Sequence, residues 1–206
     1  AWLLLLLVVL SLMGCTTGQG DGQVTSEHLA VEDCWDGPFE LSPTFFGANP
    51  YTRDDLSIRL QRGDDLTEVS DGVTFTIREA GKIRDELLDS PVKMGLPAGV
   101  TPPGTLPRQL DPDALVSMVL SLHGSCHEQN SAVYAVSGDI VFHSLFSGDL
   151  NESKADARLT DAEFTADVAD PRRIQPDGSF AAENTSQVTG WFRFFFQRGP
   201  PAQTFP

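Results

Sequence analysis

The sequence predicts a mainly β protein: an antiparallel β-sandwich of the jelly-roll or immunoglobulin-like kind, with one short helix and a proline-rich loop. Several short segments alternate apolar and polar residues, which is the period of a strand with one buried face. Turns rich in Gly, Asp and Pro separate these segments, as in domains built from two packed sheets. Residues 31–206 have a length that suits a single domain, and 40% of the whole chain is hydrophobic, which is enough for a core.

The alternation defines the strands in order along the chain. We expect strands at residues 56–61, 73–78, 116–122, 132–136, 140–146 and 164–168. Ser137-Gly138-Asp139 separates two of them and is typical of a hairpin turn. The last strand, at 191–197 (WFRFFFQ), places Phe192, Phe194 and Phe196 on one face, which we assign to the core.

One segment has the character of a helix. Ala80–Asp89 (AGKIRDELLD) favours a helix of about two turns. Residues 91–109 follow it and contain five prolines, so we expect a long surface loop. A loop of this length either carries function or crosses from one strand to the next.

The N-terminus carries a targeting signal. Residues 2–13 are apolar apart from one Ser, and the run is shorter than the roughly 20 residues of a bilayer-spanning helix. It fits the apolar part of a signal peptide. Leu12-Met13-Gly14-Cys15 follows, and this site resembles the lipobox of bacterial lipoproteins. No initiator Met and no basic residue precede Trp2, so we expect residues 1–14 to be a signal peptide whose true start lies upstream.

The resemblance implies a lipid anchor on Cys15. In that family the thiol accepts a diacylglyceryl group through a thioether, and the amine exposed by cleavage is often acylated too, for example with palmitate. Two or more acyl chains hold a protein stably on a membrane. The resemblance therefore implies an extracytoplasmic domain at the bacterial cell envelope, and Thr16 in place of Asp favours the outer membrane. Residues 15–30 are rich in Gly, Thr and Gln, and we expect a flexible tether there.

The charge of the chain excludes some partners. It carries 29 acidic and 14 basic residues, a formal net charge of −15. Nucleic acid binding needs Lys and Arg opposite the phosphates, and docking on anionic lipid needs a basic patch, so we expect neither. The acidity keeps an exported protein soluble. Binding of a cation or of a basic partner is the alternative.

The cysteines indicate a disulfide. Lipidation uses Cys15, which leaves Cys34 and Cys126 as an even pair in an oxidising compartment. We predict a bond between these two, which would close a loop of about 90 residues. Two unpaired buried thiols are the alternative.

The sequence contains no familiar catalytic motif. There is no G-x-S-x-G elbow, P-loop, G-x-G-x-x-G or H-E-x-x-H. His123, Cys126 and His127 are the densest group of potential metal ligands, but they are only three and the disulfide uses one of them. We predict no metal and no cofactor. The alternative function is an envelope hydrolase assembled from scattered acids and histidines, and it requires His123, His127 or His143 to meet a buried carboxylate.

The remaining candidate is an aromatic surface. Trp191 and Phe195 lie beside Arg193 on the face of the last strand opposite to its core phenylalanines. Exposed aromatic patches mark contact surfaces. The sequence thus predicts a lipid-anchored, non-enzymatic binding or structural module, with a protein or a glycan as its partner and this surface as its candidate contact.

Overall fold

A computed structural model describes residues 19–50, 54–63, 70–96, 113–126, 131–146, 158–173, 175 and 179–196. The predicted signal peptide, Cys15, His127, the side chain of Phe196, Gln197 and most of the proline-rich loop lie outside the described part. Within the described ranges, no helix is both long and apolar enough to cross a membrane.

Ten antiparallel strands dominate the described structure. They are β1 (Gln19–Val31), β2 (Trp35–Leu41), β3 (Phe45–Pro50), β4 (Leu56–Gln61), β5 (Asp71–Ile77), β6 (Pro91–Lys93), β7 (Val116–Leu122), β8 (Ala132–Ser144), β9 (Arg158–Ala169) and β10 (Thr185–Phe196). The helical elements are α1 (Ala80–Glu86) and two single-turn 3-10 helices, Pro171–Arg173 and Ala182–Asn184. The strands form one sheet in the order β2-β1-β10-β9-β8-β7-β5-β4-β3, with β6 paired to β8.

The sheet curls into a half-barrel around its core. β3, at one end of the strand order, packs across the core on β10, where the rings of Phe46 and Phe194 stack with their centroids 5.6 Å apart. The predicted mainly β class is confirmed. A sandwich is not, because the hydrogen-bonded pairing runs without a break from β2 to β3. Alternation indicates that each strand has one buried face. It does not indicate whether that face packs on a second sheet or on the opposite end of the same curled sheet.

The last strand has the two faces that the sequence predicts. Phe192 and Phe194 are fully buried, whereas Trp191 and Phe195 are 42% and 41% exposed. Successive side chains of a strand point to opposite sides of the sheet. One side of β10 therefore faces the core and the other faces solvent.

Two of the predicted strands match the structure residue for residue, namely β4 and β7. The strand predicted at 73–78 is β5, which begins earlier, at Asp71. The predicted helix is present as α1 but ends at Glu86. Leu87 is its C-cap, with φ −119° and ψ 12°, and Asp89, whose φ of 58° is in the left-handed region, lies beyond the helix. The start of the predicted proline-rich loop is the short strand β6.

The hairpin predicted at Ser137-Gly138-Asp139 is wrong, because β8 passes through it as one strand. The pairing of β8 with β9 shifts between Ala135 and Ser137, which marks a β-bulge. Gly138 has a φ of +136°, and a Cβ there would lie 2.3 Å from the carbonyl oxygen of Thr165. Glycine is therefore needed at this position because the bulge requires a positive φ and leaves no room for a Cβ atom. It does not mark a reversal of the chain.

Most of the predicted tether is a strand. The sequence predicts flexibility over residues 15–30, but Gln19–Val31 form β1, which pairs with β10 on one side and β2 on the other. Val24 and Leu29 of this strand are fully buried. The ordered domain therefore includes residues 19–30 and is not limited to 31–206.

The glycines of β1 explain why this segment resembles a tether. A Cβ at Gly20 would lie 2.3 Å from the Cβ of Phe194, and a Cβ at Gly22 would lie 2.9 Å from the carbonyl oxygen of Trp191. Both glycines allow β1 to approach β10 closely, which is a regular role of glycine within strands. A pattern typical of a flexible linker thus belongs to a tightly paired strand.

The predicted disulfide joins Cys34 to Cys126. Cys34 lies in the turn between β1 and β2, and Cys126 follows β7. Their Cα atoms are 5.5 Å apart, a distance typical of disulfides. The bond connects positions separated by 92 in the sequence and ties one end of the sheet order to its middle.

A buried carboxylate holds the turn that leads to Cys126. Asp71 is 3% exposed. Its Oδ1 accepts hydrogen bonds from the backbone N–H groups of Gly124 and Ser125, each at 2.9 Å, and its Oδ2 accepts one from the Ser125 hydroxyl. Hydrogen bonds to a charged acceptor are strong, and here they satisfy a carboxylate that water does not reach freely. Asp71 thereby positions Cys126 for its bond with Cys34.

Candidate binding face

The predicted contact residues lie together on the solvent side of the sheet. We call the side of β2, β1, β10, β9, β8 and β6 opposite to the core the outer face. Trp191 and Phe195 are the exposed large hydrophobic side chains of the described residues, and both lie on this face. The side chain of Arg193 between them is 58% exposed, and its Nε lies 3.7 Å from Oδ2 of Asp161. The period of two along β10 brings these three side chains to one side.

Strand pairing places polar residues beside Trp191. Its direct neighbours are Gln23 on β1 and Glu163 on β9. The line of paired residues continues through Val141 on β8 to Pro91 on β6. We call these five residues the Trp191 row. With neighbouring strands about 4.8 Å apart, the row is about 19 Å long.

A second row runs parallel to the first, two residues away along each strand. It contains Thr25, Thr189, Thr165 and Asp139, which we call the threonine row, and the line of paired residues then continues to Lys93 on β6. The hydroxyl oxygens of Thr25 and Thr189 are 3.2 Å apart, which is hydrogen-bond distance. This row sets hydroxyl donors and acceptors and one carboxylate next to the Trp191 row.

The two rows line a groove of about 630 Å³, which we call the Trp191 groove. Its floor also includes Phe164 and Gly190. A volume of this size is within the range of known ligand sites. The groove therefore has the room for a small molecule or for a short segment of another chain.

The groove is acidic. Glu163 and Asp139 are exposed carboxylates, and neither lies within ion-pair distance of a Lys, Arg or His in the described ranges. No basic residue lines the groove. The pairing places the following other charged residues on the outer face: Asp21, Glu40, Asp161 and Asp167, against Arg193 and Lys93, the latter being the cross-strand partner of Asp139. The carboxylates of Asp161 and Glu163 also contribute to the raised pKa of His143. The electrostatic potential of this face therefore favours a positively charged ligand.

No described histidine meets a buried carboxylate, which is what the hydrolase alternative requires. His143 Nδ1 lies 2.7 Å from Asp89 Oδ1, but the Asp89 side chain is 74% exposed. The hydrogen bond to Asp89 raises the pKa of His143, which favours imidazolium over the neutral form that a general base needs. His28 pairs at 2.7 Å with Asp36 in an equally exposed setting, and His123 is exposed.

The described residues contain no group of three or more His, Cys, Asp or Glu side chains arranged to hold a metal ion. Of the three ligands weighed from the sequence, Cys126 belongs to the disulfide and His127 lies outside the described residues. The geometry therefore gives no support to a metal site around His123.

The sequence pattern alone does not point to Glu163 and Asp139. Glu163 directly precedes the strand predicted at 164–168, so its exposure follows only if the alternation is extended by one residue. Its place beside Trp191 depends on the pairing of β9 with β10. Alternation carries no information on which strands pair or in which register.

Comparison with protein families, with curated proteins and with solved structures gives no match to this chain. The functional interpretation therefore depends on the residues and the geometry described above.

Proposed function

We propose that the protein is a lipoprotein of the bacterial cell envelope, anchored through Cys15, whose β domain is a non-enzymatic binding module. The observation that supports a binding role is the exposure of Trp191 and Phe195 on a mainly polar sheet face, with Arg193 between them. Aromatic residues and Arg are the residue types enriched at protein contact surfaces. Together they make up a patch that would lose water on contact with a partner.

The proposed anchor depends on the sequence around Cys15. Leu12-Met13-Gly14-Cys15 follows an apolar run that is too short to span a bilayer. The Cys34–Cys126 bond agrees with an oxidising compartment, where disulfides persist. The excess of acidic residues argues against attachment through anionic lipid, so a covalent lipid would supply the attachment. With Thr16 after the cysteine, we place the anchor in the outer membrane.

Site-specific photo-crosslinking in cells tests the binding face. The photoreactive amino acid p-benzoylphenylalanine at position 191 or 195 of the full chain should yield the same discrete adduct, because both positions lie on the proposed contact. The control places it at Glu86, an exposed residue of α1. No adduct from positions 191 and 195, or the same adduct from position 86, would contradict the proposed face.

Replacement of Cys15 tests the anchor. Expressed behind an initiator Met and basic residues, the chain should incorporate labelled palmitate and partition into the membrane fraction, and Cys15→Ser should lose both properties. The double variant Cys34→Ser/Cys126→Ser retains only Cys15 and should keep the label. Labelling and membrane partitioning that persist in Cys15→Ser would overturn the anchor.

A further inference from the structure

We infer that the Trp191 groove binds an extended basic segment of a partner protein, in which two Arg or Lys side chains two positions apart meet Glu163 and Asp139. The inference rests on the proposed function, since it names the chemistry of the partner that the binding face would take.

Trp191 and Glu163 form the first half of the site. They are direct cross-strand partners, so their Cβ atoms are about 4.5–5.5 Å apart. A guanidinium or ammonium group within about 6 Å of an aromatic ring is attracted to the face of that ring. The carboxylate of Glu163 is within reach of a cation held in this way. One basic side chain therefore finds both a ring to stack on and a counter-charge.

Asp139 forms the second half of the site. On β8 it lies two residues from Val141, the direct partner of Glu163. Residues in this diagonal relation are about 7–8 Å apart. In an extended peptide, side chains at positions i and i+2 point the same way and are separated by about 6.6 Å. One peptide can therefore present two basic groups to the two carboxylates, and the row length of about 19 Å accommodates about six residues.

The charge of the groove favours a basic segment over a neutral ligand. Neither Glu163 nor Asp139 forms an ion pair with a described cation. Lys93 is the cross-strand partner of Asp139, and Glu163 contributes to the raised pKa of His143, but acidic side chains outnumber basic ones on this face. A neutral ligand that covered these carboxylates would remove their water without supplying a counter-charge, which is unfavourable. The hydroxyls of the threonine row offer partners for the backbone groups of a peptide. The net charge of −15 extends the attraction beyond the groove.

Isothermal titration calorimetry with the full chain in detergent tests the inference. The probe is the end-blocked peptide Gly-Ser-Arg-Ser-Arg-Ser-Gly, and its affinity should fall as salt is raised, because part of the attraction is between charges near solvent. The same peptide with citrulline in place of both Arg keeps the shape, loses the charge and should not bind.

Variants of the protein locate the peptide. Trp191→Ala and Glu163→Gln should each weaken binding about three- to tenfold. Glu183→Gln makes the same charge change about 20 Å away, beyond the start of β10, and should leave the affinity unchanged. Equal melting temperatures of the variants would show that the folded state is intact.

Failure of the inference is distinguishable from failure of the proposed function. Three results would each overturn the inference of a basic segment. They are no binding of the Arg peptide, equal binding of the citrulline peptide, and equal effects of the Glu163 and Glu183 variants. A neutral oligosaccharide that binds the groove in place of the Arg peptide would assign it to a glycan and also overturn the inference. In each case a discrete adduct from position 195 would still support the outer face as a binding surface. The absence of that adduct would contradict the proposed function as well.

Discussion

Phe194→Ala should lower the free energy of unfolding by about 3–5 kcal/mol. The Phe194 ring is fully buried, and its centroid lies 5.6 Å from that of Phe46 and 6.2 Å from that of Phe192. Truncation leaves a cavity where β3 packs on β10, so it weakens the contact that holds the curled sheet together. Domains of this size have only about 5–15 kcal/mol of stability. Chemical denaturation followed by circular dichroism measures the loss, and the melting temperature should fall by about 6–20 °C.

Phe195→Ala is the matched control for this prediction. It removes the same side chain from the next residue of the same strand, but Phe195 is 41% exposed on the outer face. Substitutions at exposed positions usually change stability by less than about 0.5 kcal/mol. Equal losses for the two variants would contradict the assignment of the two faces of β10.

Replacing Cys34 and Cys126 by Ser should lower the free energy of unfolding by about 2–5 kcal/mol. The bond closes a loop that spans 92 positions, and on chain-entropy grounds a loop of that length contributes about 4–5 kcal/mol by restricting the unfolded chain. Denaturation of the wild-type protein with and without a reductant should show a difference of the same size.

The single variants decide whether loss of the disulfide is the cause of the lower stability. Cys34→Ser or Cys126→Ser alone should cost about as much as the double variant, because either change removes the whole bond. Losses that add up in the double variant would indicate two independent thiols. So would mass spectrometry in which both thiols react with an alkylating agent before reduction.

The strands whose bounds are easiest to predict are those in which apolar and polar residues alternate along the whole length. β4 and β7 alternate in this way, and the structure reproduces their bounds. In β7 burial alternates with the sequence, whereas the polar Ser57 and Gln61 of β4 are buried as well. The same period separates Phe194 from Phe195 correctly. In β7 and at the end of β10 the local pattern and the packing agree, so the sequence alone is sufficient there.

The predictions from the sequence fail where the role of a residue depends on a contact with a residue that is distant in the sequence. Gly20 and Gly138 resemble linker and turn residues, but each is required because another strand passes too close for a side chain. Asp71 lies outside the strand predicted at 73–78, although it begins β5 and accepts hydrogen bonds from a turn more than fifty positions away. Glu163 belongs to the groove only through strand pairing. Local sequence contains no record of such contacts, because they depend on the order and register of the strands.

The position of Gln19 in the sheet limits how far the domain can stand from its point of attachment. Three residues, 16–18, separate Cys15 from Gln19, and the four steps from one Cα atom to the next span no more than about 14 Å even when fully extended. Gln19 pairs with Phe195, so a lipid on Cys15 would keep the Phe195 end of the outer face next to the headgroups. The far end of β1, beside the Cys34 turn, is about 40 Å away along the strand. A partner that contacts Phe195 would then meet it close to the membrane surface.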